Sequence, residues 1–270
     1  PAPTALPTAG RLAEVLAGIR AEHGGAKRRK APADAAALRN MLAARQAMPM
    51  PSTLCVDVLK KDESEALTHL ARWQKTNLPH LDRPRMALFV QTEPSLEAML
   101  QALLGGQHAV TRLMRLCNGD VRVYEMGDAN TTPLSEAVAA HAISYGLLAL
   151  EEATDVLLLG LLGEGNAPLF QDLEKNLDRA DNVFPLFAAT GRADLCALLG
   201  AAMAARMACI PVITDASLAP MLRRALGLLC DNEDSPIYPA LAATQTYDPV
   251  LQAAFSVHTL QALTTLSAVA

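Results

Sequence analysis

The chain has 270 residues, 51% of them hydrophobic and only 4% aromatic, and carries a formal net charge of −5. That length suits one large domain or a domain with a smaller appendage, and a weakly acidic surface excludes a general attraction to nucleic acid or anionic membrane except where basic side chains cluster. Ala and Leu dominate the apolar half, which favours helices packed closely on a sheet or on one another.

In chain order, the first ten residues are rich in Pro, Ala and Thr, after which the spacing Leu12, Val15, Leu16, Ile19 predicts a helix. A second helix is predicted at 33–47. Between them lies the one basic cluster, Lys27-Arg28-Arg29-Lys30, flanked by Gly and Pro, which reads as a solvated linker or as a docking patch for an acidic partner or phosphate. Thr53 to Leu59 reads as extended and 63–75 as a helix, so residues 1–80 form a mostly helical arm or subdomain and 81–270 a second unit. The N-terminus lacks the basic-then-apolar order of a signal peptide, and the longest apolar stretch, Gly146 to Leu162, is interrupted by Glu151, Glu152 and Asp155, so no membrane span is expected. Cys55, Cys117, Cys196, Cys209 and Cys230 are odd in number and form no Cys-x-x-Cys pair, which points to a reducing cytoplasm rather than a disulfide framework or a zinc site.

From Arg85 onward the texture changes. Four short apolar runs, RMALFVQ, DVRVYEMG, TDVLLLGLL and CIPVITD, alternate with helical patterns that include SLEAMLQALL, PLSEAVAAHAISYG, segments near 168–179 and 191–208, and SLAPMLRRALGLL. That alternation predicts an α/β fold, a doubly wound, mostly parallel sheet flanked by helices. Ligands of such sheets bind outside the carboxyl ends of the strands, where this chain has Gln91-Thr92-Glu93, Gly127-Asp128-Ala129-Asn130-Thr131-Thr132, Gly163-Glu164-Gly165-Asn166 and Thr214-Asp215-Ala216-Ser217. Glycines that let backbone N–H groups approach an anion, followed by a helix N-terminus, suit a phosphate, although strand-to-helix loops carry Gly and capping residues for purely local reasons as well. GEGNAP is neither a Walker loop nor a dinucleotide fingerprint. Glu125, Asp128 and Glu164 can form a carboxylate group at that edge, and the alternative for Asp128 and Asn130 is a turn bonded to its own backbone. His108 and His141 have no partner at metal-ligand spacing, so no metal is expected.

Three blocks in this order, ALLGGQHAVTRLMRLCNGDVRVYEMG, LLLGLLGEGNAPLF and FAATGRADLCALLGAAMAARMACIPVITDASLAPML, resemble the nicotinate-nucleotide:dimethylbenzimidazole phosphoribosyltransferase family, which makes the lower-ligand ribotide of cobalamin. The resemblance runs from about residue 84 to the end of the chain. It implies a cytoplasmic homodimer that needs no cofactor and takes a nucleotide and an aromatic base. It also implies that Gly163, Gly165 and Asn166 hold the nucleotide phosphate, that Asp215 follows the late strand in the pocket, and that Gly105 and Gly106 match an early glycine pair and Gly200 a helix glycine. Gln91 and Ser217 join Glu125, Asp128 and Asn130 as further pocket candidates.

The chain departs from the pattern at several points. Leu161 stands where the family has Glu, Ala167 and Pro168 where it has two Thr, and the segment carrying a family Lys is shortened, leaving Lys175 as a substitute. Near the C-terminus, Ser256-Val257-His258-Thr259-Leu260 matches the family's Gly-Glu-Gly-Thr-Gly, which puts Val257 where the family has its general base. A hydrocarbon cannot take the azole proton, which leaves His258 and Glu164 as candidates for the base and two expectations open: a divergent transferase, or a homologue that binds a nucleotide, azole or protein partner without turnover.

Overall fold

Apolar runs too short for helices and bounded by turn residues become the strands of one sheet. The computed structural model describes residues 61–128, 133–151, 153–163, 166–230, 234–241 and 249–267, apart from the side chains at 128, 249–251 and 265–267. The two helices expected before residue 50, the extended piece, the basic cluster, Asn130, Glu164 and Gly165 lie outside the described residues.

Five strands, β1 (Pro84–Thr92), β2 (Asp120–Asp128), β3 (Val156–Leu161), β4 (Val212–Thr214) and β5 (Ile237–Pro239), pair in the order β2-β1-β3-β4-β5. Every pairing is parallel, as expected for strands separated by helical crossovers. All six residues of β3 are buried, which is what a central parallel strand covered on both faces requires. The first four strands coincide with the four apolar runs. β5 was not expected, because a three-residue strand ending in Pro, with only Ile237 buried, carries almost no periodic signal.

The period of two along each strand divides the core. Ala87, Phe89, Leu157, Leu159 and Leu161 point to one face and pack under α4 (Glu136–Gly146), α5 (Asn166–Leu177), α6 (Val183–Ala189), α7 (Ala193–Ala208) and α8 (Leu218–Cys230). Met86, Leu88, Val90, Val156 and Leu158 point to the other and pack against α1 (Lys61–Gln74), α2 (Glu97–Leu104), α3 (Ala109–Leu116) and α9 (Pro249–Ser267). Ser135 is the N-cap that starts α4, its hydroxyl accepting from the Val138 amide at 3.4 Å.

Every residue of α7 from Ala193 to Arg206 is buried, so this helix is apolar on nearly all sides. Two glycines explain how it fits. A Cβ at Gly200 would overlap the Ile143 carbonyl of α4, and one at Gly146 would overlap the Ala197 carbonyl of α7, so the two helices touch backbone to backbone. Gly200 is therefore a packing residue. Among the described residues no helix is long and apolar enough to cross a membrane.

Candidate functional site

The order of the strands reverses between β1 and β3, since the chain leaves β1 toward β2 and leaves β3 toward β4. The crevice at that reversal, outside the carboxyl ends, is where sheets of this kind place ligands. Leu162 donates its amide to the Phe89 carbonyl at 2.9 Å, which brings the residues after β3 beside the end of β1. Gly163 then takes φ +116°, a conformation costly for any residue with a side chain.

Three loops are tied together there. Asn166, the first residue of α5, donates its Nδ2 to the Gly163 carbonyl at 2.9 Å, and its Oδ1 accepts from Arg192 Nη1 at 3.1 Å. Arg192 is the N-cap residue of α7 and lies side-on against Asp194, with Nε to Oδ1 at 2.9 Å and Nη2 to Oδ2 at 2.7 Å. Asp194 has no exposed surface, and its Oδ1 also accepts the Leu195 amide at 2.9 Å, a favourable place for a carboxylate in the first turn of a helix. Gln91, 2% exposed at the end of β1, donates to the Gly191 carbonyl at 3.2 Å and so fastens the turn before α7 to the sheet. Burial works against the Arg192 charge, but hydrogen bonding and charge from Asp194, with Glu93 adding its field, outweigh it and raise the arginine's pKa further above its ordinary value. Arg192 is cationic at any working pH.

Sequence reasoning missed Arg192 and Asp194 because an Arg at a helix start matches no motif. The signal available was position: a charged pair two residues apart, directly after Gly191 and ahead of an otherwise apolar helix.

The other expected residues are distributed as follows. Asp215, 7% exposed and directly after β4, uses Oδ1 to accept from the Ser217 amide at 2.9 Å, the Ser217 hydroxyl at 2.5 Å and the Leu218 amide at 3.1 Å, so the pair caps α8 at the same edge of the sheet. Glu125 is exposed on the edge strand β2 opposite Val90, and Asp128 ends that strand opposite Thr92, beyond a register shift. Gly105 and Gly106 terminate α2, Gly105 donating its amide to Gln101 at 2.8 Å. Lys175 is exposed on α5 and lies 3.5 Å from Asp172. His108 caps α3, its Nδ1 accepting the Val110 amide at 3.3 Å.

Val257 and His258 lie inside the 19-residue helix α9, not at a helix start. Val257 is wholly buried in the core of that face, whereas His258 is exposed. One turn further on, Gln261 donates to the carbonyls of Leu81 and Cys117, which precede β1 and β2 and so mark the opposite, amino edge of the sheet. Among the described residues no three His, Cys, Asp or Glu side chains gather closely enough to hold a metal ion.

A second polar constellation surrounds the amino end of β5. Arg206 donates to the Asp234 carbonyl, His69 Nε2 to the Pro236 carbonyl at 2.9 Å and Arg223 Nε to the Ile237 carbonyl at 2.9 Å, while Arg72 lies 3.6 Å from the Asp234 carboxylate. The Arg206 guanidinium sits 5.6 Å from the centre of the Trp73 ring, and His69 and Tyr238 rings are 5.1 Å apart. Burial, reinforced by the charges of Arg223 and Arg72, lowers the His69 pKa to about 4 against the opposing pull of the Pro236 hydrogen bond and Asp234. His69 is therefore neutral at physiological pH, with its proton on Nε2 because a carbonyl can only accept.

No protein-family model and no curated protein matches the chain. Solved structures do. CobT from Thermus thermophilus is 14% identical with a TM-score of 0.59, the match covering 86% of this chain and 95% of that one. A nicotinate-nucleotide-dimethylbenzimidazole phosphoribosyltransferase from the same organism is 17% identical with a TM-score of 0.58, over 86% and 94%. At such identity the likeness establishes a shared α/β fold along nearly the full length of both neighbours.

Proposed function

We propose that this chain is a divergent phosphoribosyltransferase that holds the phosphate of nicotinate mononucleotide, or a nucleotide like it, at the crevice between β1 and β3 and moves its phosphoribose to a benzimidazole-type base. The observation that carries this reading is the bond network Gly163–Asn166–Arg192–Asp194, a glycine loop and a cation joined at the strand-order reversal of a fold shared with such an enzyme. Gly163, Gly165 and Asn166 take the phosphate in this reading, with Asp215, Ser217 and Gln91 shaping the walls. In the transfer an azole nitrogen attacks the anomeric carbon, the glycosidic bond to nicotinate breaks with its electron pair going to nicotinate, and the azole proton passes to a base. Glu164, between Gly163 and Gly165 in the sequence, and His258 are the candidates for that base. By the same resemblance the chain works as a cytoplasmic homodimer.

Binding without turnover is the second reading, favoured by Val257: the residue aligned with the family's base is a hydrocarbon buried in the core. A general base contributes about two to four powers of ten in rate, so its loss reduces the reaction without touching affinity. Purified protein given nicotinate mononucleotide and dimethylbenzimidazole separates the readings. Release of nicotinate, lost in Glu164→Gln, supports the transferase; tight binding of the mononucleotide with no release at any pH supports the binder.

A further inference from the structure

We infer that Arg192 is the residue that selects phosphate monoesters in this crevice, with Asp194 and Asn166 as its positioning residues; this rests on the nucleotide reading above. Three of the Arg192 N–H groups are engaged by Asp194 and Asn166, which leaves the rest of a guanidinium's fork of donors. The side chain keeps 21% of its surface exposed, although its partner Asp194 keeps none. A guanidinium gripped along one edge by a buried carboxylate cannot rotate, so its remaining donors are already oriented for an oxyanion and little rotamer freedom is lost on binding. Asn166 adds two things: it joins that guanidinium to the Gly163 carbonyl, and it begins the 12-residue helix α5, whose N-terminal amides favour negative charge at the same point. The expected lysine does not compete, since Lys175 is 74% exposed and paired along its own helix.

The planar fork requires an anion that offers two or more acceptor oxygens and is charged near neutral pH. A phosphate monoester fits, and so does a carboxylate such as that of nicotinate. The two differ in pH response, because a phosphate monoester gains its second charge with a pKa of about 6, whereas a carboxylate is ionised throughout the range.

Titration calorimetry with nicotinate mononucleotide, ribose 5-phosphate, nicotinate and nicotinate riboside tests this on the full chain. Arg192→Gln is expected to weaken both phosphorylated probes about 10- to 100-fold and leave the riboside unchanged, and wild-type affinity for ribose 5-phosphate is expected to rise between pH 5 and 7.5 while that of the variant stays flat. Arg192→Lys is expected to recover little, because an ammonium cannot grip Asp194 side-on and still present a fork. Arg192→Gln alone leaves Asp194 buried without its partner, so the neutral pair Arg192→Gln with Asp194→Asn, checked by thermal melting, keeps the test open if the single variant fails to fold. Equal losses for phosphorylated and unphosphorylated probes, a loss confined to nicotinate, a flat wild-type pH response, or no binding of any phosphate monoester each overturns the assignment. Arg192-dependent binding of ribose 5-phosphate without nicotinate release leaves the assignment standing and removes the transferase reading. Nicotinate release at the wild-type rate by Arg192→Gln does the reverse.

Discussion

The two ends of the sheet both gather arginines, and they use them differently. At the amino end of β5, Arg206, Arg223 and His69 place donors on the backbone carbonyls of Asp234, Ile237 and Pro236, the last of which also accepts the Val212 amide of β4 at 2.8 Å. At the carboxyl ends of β1 and β3, Arg192 is held by two side chains, Asp194 and Asn166, and keeps part of its fork in reserve. The first arrangement satisfies backbone carbonyls around the start of β5 and serves the fold. The second fixes a cation without using it up, and that is what a binding site needs.

If the contrast holds, substitutions at the amino end lower stability and spare binding, and those in the Gly163–Asn166–Arg192 network at the carboxyl end weaken binding more than stability. The largest effect is expected for Arg206→Ala, which removes a side chain with no exposed surface from beside Trp73 and leaves the Asp234 carbonyl without that donor. A loss of about 3 kcal/mol or more is expected, read as a thermal midpoint roughly 10 °C lower, with nucleotide affinity unchanged. A large fall in affinity with an unchanged midpoint would erase the distinction between the two ends.

The next effect is a pH dependence. His69 has a folded pKa of about 4 against 6.5 for the free side chain, so the unfolded chain binds the extra proton first. Its contribution is fully present above pH 6.5 and is lost as pH falls toward 4, about 3 kcal/mol over that interval. Denaturant midpoints measured from pH 7 to 4 should therefore fall more steeply in the wild type than in His69→Gln, and parallel curves would count against a buried neutral imidazole.

Smaller changes are expected at the carboxyl end. Asp215→Ala removes the acceptor that caps α8 and should cost about 1 kcal/mol of stability by chemical denaturation. Asn166→Ala cuts the tie between Gly163 and Arg192 and should reduce nucleotide affinity about fivefold, equivalent to one hydrogen bond, with less effect on the melting midpoint. The smallest effect is expected for His258→Ala, an exposed residue of α9 one turn from the amino edge, which should leave both stability and nicotinate release within error. Loss of nicotinate release in that variant would make His258 the base and move the reacting centre away from the Gly163 loop.

The legibility of the fold in the sequence follows from length and repetition. β1 and β3 announced themselves because runs such as Val156–Leu161 are apolar at every position, and the shared parallel direction followed from the helical segments between them. β5 and the short helix α6 did not, since three and seven residues span too few periods to stand out from turns. At the site, the glycines and Asn166 were readable as a loop after a strand. Arg192 and Asp194 were not, because their meaning depends on the close approach of loops far apart in the chain, Asn166 and Arg192 being 26 positions apart. The alignment of Val257 with a catalytic position is a different case. Order along the chain matches a motif there, and the helical periodicity of Ala253, Ala254, Val257 and Leu260 carries the same residues into the core.

A crystal grown with nicotinate mononucleotide is the most direct measurement of whether the β1–β3 crevice is a nucleotide-phosphate site. The expected result is electron density for the phosphate within about 3 Å of the Arg192 guanidinium and the backbone amides that open α5. Density for the ligand elsewhere, above all in the depression lined by His69 and Arg223, with the Asn166–Arg192 contact undisturbed, would contradict it.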